Sequence, residues 1–427
     1  MIQTLKNAWK VKDIRDRIIF TLLMFLVFRL GNVVPLPFFN KDAISAIVQQ
    51  SEGTILSFLN MITGGGLSQM SVFALGVGPY ITSSIVMQLL TVAIPKLEEL
   101  SKEGEEGKKK IERITSIITL VLAIFQGYAI VKGIFNSALA TGSSLEIGIA
   151  VLALVAGSMF LVWIGEMITE KGIGNGVSLI IFAGIIASLP RTVGAWFNAL
   201  TNNFSAYTLL RILIVLAIAV LTTIVVVLIT EGERKIPVQY AKRVVGRKVY
   251  GGQNTHIPIK VNMSGVLPVI FASSILALPQ TIGLLAGGGV QNFVNKYMTP
   301  STIAGTIVFA ILNFVLVILF AYFYNSISFD TNEYAKNLQQ YGGFIPGIRP
   351  GRPTSQYLGR VVNRITMIGA VVLGILAVLP TILSTAFNLN ILFGGTSMII
   401  VVGVILDTIR EMEAMLQMRN YEGFLKK

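Results

Sequence analysis

Ten apolar runs divide this 427-residue chain, near residues 18–36, 72–94, 114–131, 147–168, 173–189, 212–229, 264–285, 303–324, 365–387 and 396–409. A hydrocarbon core of ~30 Å takes about 20 helical residues to cross. The pattern therefore predicts ten transmembrane helices and an all-α polytopic membrane protein. The fifth run is short and rich in glycine, and the tenth is short. The first is long and no small-residue cleavage site follows it, so it reads as a retained span. One further stretch is apolar without being long enough to cross. It is Ser57-Phe58-Leu59-Asn60-Met61-Ile62-Thr63-Gly64-Gly65-Gly66, continuing through Leu67-Ser68-Gln69-Met70-Ser71, between the first and second spans. A brief helix ended by three glycines predicts a re-entrant element, which membrane depth tolerates only within protein or beside a water-filled cavity. An interfacial helix on the outer surface is the alternative.

The basic residues sort by side. Of 34 Lys and Arg, 28 fall on the face that carries both termini, and six lie on the opposite face or within spans. That bias predicts an even number of spans with both ends cytosolic. Composition agrees, with 53% hydrophobic and only 13% charged residues, against roughly 25% charged in a soluble domain. The net charge of +13 is thus mainly a property of the cytosolic face.

Two cytosolic segments are longer than a connection requires. Residues 230–263 contain Lys235-Ile236-Pro237-Val238-Gln239-Tyr240-Ala241-Lys242-Arg243 and His256-Ile257-Pro258-Ile259-Lys260. Two partly alternating runs around Gly251-Gly252-Gln253-Asn254 read as a protruding hairpin. Residues 325–364 contain Gly343-Phe344-Ile345-Pro346-Gly347-Ile348-Arg349-Pro350-Gly351-Arg352-Pro353, an extended loop stiffened by Pro and Gly that presents Arg349 and Arg352. Together they predict a docking surface for an acidic or RNA-rich partner.

Most catalytic chemistry is missing. The chain has no cysteine and one histidine, His256, which excludes thiol chemistry, disulfides and His-based metal sites or triads. Gly104-Glu105-Glu106-Gly107-Lys108 lacks phosphate-loop spacing, so 96–113 reads as a solvated loop. Gly172-Ile173-Gly174-Asn175-Gly176 opens a membrane helix without a preceding strand, which argues against a dinucleotide site. The ionisable residues within or at the ends of spans, Arg29, Glu166 and Glu231, form no proton relay. Arg29 is expected to be structural, salt-bridged or snorkelling. A secondary transporter or lipid flippase built of inverted repeats would need more intramembrane carboxylates. No enzyme activity, cofactor or metal is expected; the chain reads as a passive conduit or a scaffold.

Several stretches carry a resemblance. They are Arg29-Leu30-Gly31 with Val34-Pro35-Leu36-Pro37, Ala74-Leu75-Gly76-Val77-Gly78-Pro79-Tyr80-Ile81, the Gly172–Gly176 motif, and residues 234–243. Gly265-Val266-Leu267-Pro268 with Phe271-Ala272-Ser273-Ser274, residues 343–350, and Gly394-Gly395-Thr396-Ser397 complete the set. In this order and spread over nearly the whole chain, they resemble the SecY family, the channel subunits of the bacterial Sec protein translocase.

The resemblance implies two pseudo-symmetric five-helix halves, 1–190 and 191–427, around an hourglass pore in the cytoplasmic membrane. It implies a pore ring of Ile81, Ile85, Val177, Ile181, Ile270 and Ile400, with Ile81 and Ile85 on one helix face as i and i+4. It implies a plug over 57–66 (Ser57, Phe58, Leu59, Asn60, Met61, Ile62, Thr63, Gly64, Gly65, Gly66) that seals the resting channel. A lateral gate is implied between the second and seventh spans, where Ser84, Gln88 and Thr91 face Ser273, Ser274 and Gln280, with Gln126 on the third span. Inter-helix hydrogen bonds among these residues are expected to hold that seam. Lys242, Arg243, Arg247, Lys248, Arg349 and Arg352 are implied to dock the motor or the ribosome. The implied partners are SecE, SecG, the SecA ATPase, the ribosome, secretory preproteins with signal sequences and membrane lipids, with no role for DNA. The implied activity is passage of unfolded polypeptide across the membrane, with sideways release of hydrophobic segments into lipid.

Overall fold

The computed structural model describes residues 6, 8–50, 60–202, 205–240, 243–245, 248–250, 254–300, 302–387 and 395–425. A helix underlies each of the ten predicted spans. They are Lys12–Gly31, Gly78–Ala93, Glu105–Gly133, Ser144–Lys171, Gly176–Asn202, Ala206–Glu231, Leu267–Ala286, Ile303–Ser328, Arg352–Phe387 and Gly395–Leu425, first to tenth. Among the described residues, six helices are long and apolar enough to cross a membrane by themselves. A seventh qualifies when Gly78–Ala93 is joined to Pro95–Lys102, bent from it by 102°. The apolar part of the seventh span is shorter, Leu267–Gly283. The first carries Arg15, Asp16, Arg17 and Arg29, and the tenth Asp407, Arg410 and Glu411, which lower their apolarity.

Several boundaries differ from the sequence expectation. Residues 96–113 are helical, not a loop: Pro95–Lys102 forms one helix and the third span begins at Glu105. Proline suits the first helical turn, where its missing N–H is not needed, and the Glu98–Lys102 pair, 2.6 Å apart, supports the helix at i and i+4. The fifth span runs to Asn202 through Pro190, so the 190/191 boundary between halves falls inside a helix. The tenth span continues well past residue 409.

The Gly172–Gly176 motif is the tight turn between the fourth and fifth spans. Arg17 donates to the Gly172 carbonyl at 3.1 Å, and Thr21 accepts from the Ile173 amide at 3.3 Å. Asn175 accepts from the Ser178 amide at 3.0 Å, capping the fifth helix. The motif is therefore a joint binding the first span to the next two.

The fourth span meets the loop entering the second with no room to spare. A methyl group added at Gly157 would fall 2.0 Å from the Val72 carbonyl oxygen, and Ser158 donates to the Gly76 carbonyl at 2.9 Å. Gly157→Val is expected to lower stability by about 1–3 kcal/mol through overpacking, read as a lower unfolding temperature in detergent. An unchanged transition would mean that this contact relaxes freely.

The two long segments between spans, 230–263 and 325–364, form one platform. β1 (Glu233–Tyr240) pairs antiparallel with β4 (Asn254–Lys260), and β5 (Gly343–Phe344) pairs with the far end of β1. Between them β2 (Arg243–Val245) pairs with β3 (Lys248–Tyr250), with Val245 opposite Lys248. The antiparallel pairing of β1 with β4 is that of the expected hairpin; Gly251, Gly252 and Gln253 of its expected turn lie outside the described residues, and Asn254 opens β4. The 325–364 segment is less extended than expected: the eighth span reaches Ser328, and the helix Thr331–Gln340 precedes β5. Asp330 caps that helix by accepting from the Asn332 and Glu333 amides. Ile236 and Val238 point inward from β1 and join Ile259, Leu338, Ile345 and Leu358 in a small buried core. His256 is exposed on β4, opposite Pro237.

Candidate functional site

The central apolar core of the molecule is drawn from both ends of the chain. Ile81 and Ile85 from the second span, Ile181 from the fifth, Ile270 from the seventh and Ile400 from the tenth all belong to it. None is more than 6% exposed. Val177, one helical turn before Ile181, is partly buried and packs against the same core. Residues separated by more than 300 positions in sequence thus meet in one contiguous branched-aliphatic cluster. The five isoleucines are wholly apolar, and a constriction lined by such side chains resists wetting.

The glycine-ended stretch after the first span reaches this core from one side. Ser57, Phe58 and Leu59 lie outside the described residues. From Asn60 onward, a helix end turns sharply at the glycines. The Gly65 amide donates to the Asn60 carbonyl at 2.7 Å and the Gly64 amide to the Met61 carbonyl at 3.0 Å. With Gly64 at φ +69°, this is a Schellman-type helix end, which demands a left-handed residue that glycine supplies without strain. Met61 is 7% exposed and belongs to the central core. Ser397 of the tenth span lies against it, Oγ to Sδ 3.6 Å.

Sequence reasoning missed the residues that receive this turn. A methyl group added at Gly184 of the fifth span would fall 2.0 Å from the Ile62 carbonyl oxygen, so the two backbones touch. An interior glycine in an apolar helix is the available signal for such a contact. Arg29 donates to the Gly64 carbonyl at 2.9 Å. Arg29 was expected to be structural, salt-bridged or snorkelling; among the described residues it has no ion pair, and its contact is to backbone. Asn32 and Ser71 are buried beside Gly66, with side-chain polar atoms that have no partner among the described residues.

The second, third and seventh spans pack together. Ser83 and Thr119 join the second and third through a buried hydroxyl pair at 2.5 Å. The polar residues expected to hold the second span to the seventh do not do so. Gln88 donates to Ser84 at 3.3 Å within one helix, and Thr91 donates to the Met87 carbonyl. Ser273 and Ser274 donate to the Val269 and Ile270 carbonyls of their own helix. Gln280 donates to the Met298 carbonyl at 2.9 Å, and Gln126 is half-buried on the third span. A helical Ser or Thr hydroxyl can share the carbonyl four residues back with the backbone amide, and among the described residues no side-chain hydrogen bond crosses this seam. The seam is held by apolar contact.

On the platform, Ile345-Pro346-Gly347-Ile348 is a tight turn, with the Ile348 amide donating to the Ile345 carbonyl at 3.0 Å. Gly347, at φ +81°, occupies the position of a type II turn that requires φ > 0 after a proline. Thr354 donates to the Arg349 carbonyl at 2.8 Å. The backbone is thereby held while the Arg349 and Arg352 side chains stand exposed. Arg243 lies in β2 and Lys248 in β3; Lys242 and Arg247 lie outside the described residues.

A sequence profile of the SecY family matches residues 71–409. The protein translocase subunit SecY of Thermotoga maritima is 43% identical over 440 residues, covering 100% of this chain and 98% of that protein. The subunit of Escherichia coli K12 is 41% identical, covering 97% and 94%. Two solved structures share the fold at 18% identity, each covering 94% of this chain and 92% of the other. One is a protein-conducting channel, with a TM-score of 0.66. The other is a SecY protein whose plug domain stabilises the closed state of the translocation channel and maintains a membrane seal, with a TM-score of 0.67. On full-length identity and profile match, this chain belongs to the SecY family.

Proposed function

We propose that this chain is the protein-conducting channel of a Sec-type translocase in the cytoplasmic membrane, with both termini cytosolic. The observation that carries the reading is the convergence of Ile81, Ile85, Ile181, Ile270 and Ile400 in one buried core, with the glycine-ended segment lodged against it. Branched aliphatic side chains offer a sliding polypeptide no hydrogen bond to prefer, and they close behind it because burial of each is favourable by about 1.5–3 kcal/mol. In this reading Val177 and the five isoleucines form the pore ring, and residues 57–66 are the plug that rests against it.

The two halves part about a hinge. Because the fifth helix runs on to Asn202, the connection after it suits that hinge better than residue 190. The lateral gate is the seam of the second and seventh spans. A seam held by apolar contact suits a hydrophobic signal helix, which replaces one greasy surface by another at little net cost. Ser84, Gln88, Thr91, Gln126, Ser273, Ser274 and Gln280 would then meet the substrate or water once the seam opens. The platform docks SecA or the ribosome through Arg243, Arg349 and Arg352 with Lys242, Arg247 and Lys248, since guanidinium groups fit carboxylate and phosphate bidentately. SecE is the expected clamp across the halves, and SecG a further subunit.

The test uses single cysteines, which the chain otherwise lacks. Ile85→Cys and Ile270→Cys are expected to crosslink to a secretory polypeptide stalled in transit. Leu221→Cys, on the exposed face of the sixth span, is not. Equal adducts at all three positions, or none at the two isoleucines, would sink the channel reading.

A further inference from the structure

We infer that Arg29, assisted by Arg191, is a latch that holds the plug's glycine turn in the resting state. This rests on the plug reading above and concerns what keeps that element seated.

The argument begins with depth. Arg29 lies 12 residues after Arg17 on one continuous helix, which at 1.5 Å per residue is about 18 Å toward the outer face. There, water is scarce and a backbone carbonyl needs a protein partner. The turn meets most of that need internally. The Asn60, Met61 and Thr63 carbonyls accept from the Gly65, Gly64 and Gly66 amides. The Gly65 carbonyl accepts from Ser68 Oγ at 2.8 Å, and the Gly66 carbonyl from the Ser71 amide. The Gly64 carbonyl is left to Arg29, whose Nη1 donates to it at 2.9 Å.

Arg191 approaches from the fifth span. Its Nη1 would lie 2.8 Å from a methyl group added at Gly65, and it reaches Ser68 Oγ at 3.5 Å, the outer limit of a hydrogen bond. Neither guanidinium has a carboxylate partner among the described residues. Two cations therefore face a helix C-terminal turn, where carbonyl dipoles concentrate negative potential and positive charge is favoured. The first and fifth spans hold the turn from two sides, while Met61 holds it from a third by packing. A charge-assisted hydrogen bond to one carbonyl is directional enough to define the seated position. It is also a single contact, so it breaks in one step when the spans move apart.

The test uses the channel assembled with its partner subunits and reconstituted in vesicles. Two readouts are needed: resting ion leak, and the yield of a short thiol crosslink between Met61→Cys and Ser397→Cys, which reports a seated plug. Arg29→Gln is expected to lower crosslink yield several-fold and to raise the leak several-fold, though less than deletion of 57–66. Gly65→Ala attacks the latch from the plug side, by strain at φ +88° and by displacing Arg191; it is expected to act in the same direction without touching the first span. If the deletion leaks but both substitutions keep parental leak and crosslink yield, the latch is wrong and the plug stands. If the deletion itself does not leak, the plug reading fails. A loss of crosslink in Arg29→Gln would then still show that Arg29 holds the turn, and an undiminished crosslink would refute both.

Discussion

Channels lacking residues 57–66 are expected to conduct ions at rest at least about tenfold more than the intact chain, while still passing signal-bearing polypeptides. A tenfold change corresponds to about 1.4 kcal/mol in the free energy that favours the closed state. The interactions lost exceed that. Burial of a Met side chain contributes about 1.5–3 kcal/mol, and Met61 is 7% exposed in the central core. A hydrogen bond to a charged group contributes about 1.5–3 kcal/mol, and Arg29 makes one to the Gly64 carbonyl. Some of this is recovered as the remaining isoleucines close over the gap, so the effect is a leak and not a permanently open pore. Passage itself should persist, because neither the platform strands nor the second–seventh seam is built from the deleted residues. Bilayer conductance of purified channels measures the first part and vesicle import the second. Unchanged resting conductance would remove the plug assignment.

Much of the architecture was legible in the chain because the bilayer imposes a single length and polarity on whatever crosses it. The ten apolar runs each lie on a helix. The failures have a common cause, which is that local pattern does not register tertiary partners. Residues 96–113 are charged, and charge reads as solvated loop, yet Glu and Lys are good helix formers and Pro95 sets the bend. β5 is two residues long, so the sheet that unites two segments about 100 residues apart has no periodic signature. Thr91, Ser273 and Ser274 were legible as polar residues on facing helices, but not as hydroxyls already bonded to carbonyls four residues back. For the ring the odds run the other way: an isoleucine in a span is usually buried against a neighbour or lipid. Only the family resemblance singled out Ile81, Ile85, Val177, Ile181, Ile270 and Ile400, and the shared core of both chain halves is what supports that choice.

Charge reversal at Arg349 is expected to stop motor-driven export while leaving the membrane complex assembled. The side chain is exposed, and its backbone is fixed by the Ile345–Ile348 turn and by Thr354. Arg349→Glu therefore removes no fold contact, and the hydrophobic platform core of Ile236, Val238, Ile259 and Ile345 is untouched. What changes is the face offered to a partner. Loss of one member of a buried, hydrogen-bonded charge pair costs about 2–5 kcal/mol, and a glutamate adds repulsion toward an acidic or phosphate surface. At 1.4 kcal/mol per tenfold, binding falls by roughly 30-fold or more. Arg349→Lys keeps the charge but not the planar fork, so it should lie between the parent and the reversal. Raising salt should weaken the parent and narrow its gap from the reversal, as screening shortens the Debye length below ~8 Å. Co-purification of the partner subunits, SecA affinity for reconstituted vesicles and ATP-driven import are the three measurements. Parental affinity and import in Arg349→Glu would show that this loop is a passive connection whose arginines only mark the cytosolic side.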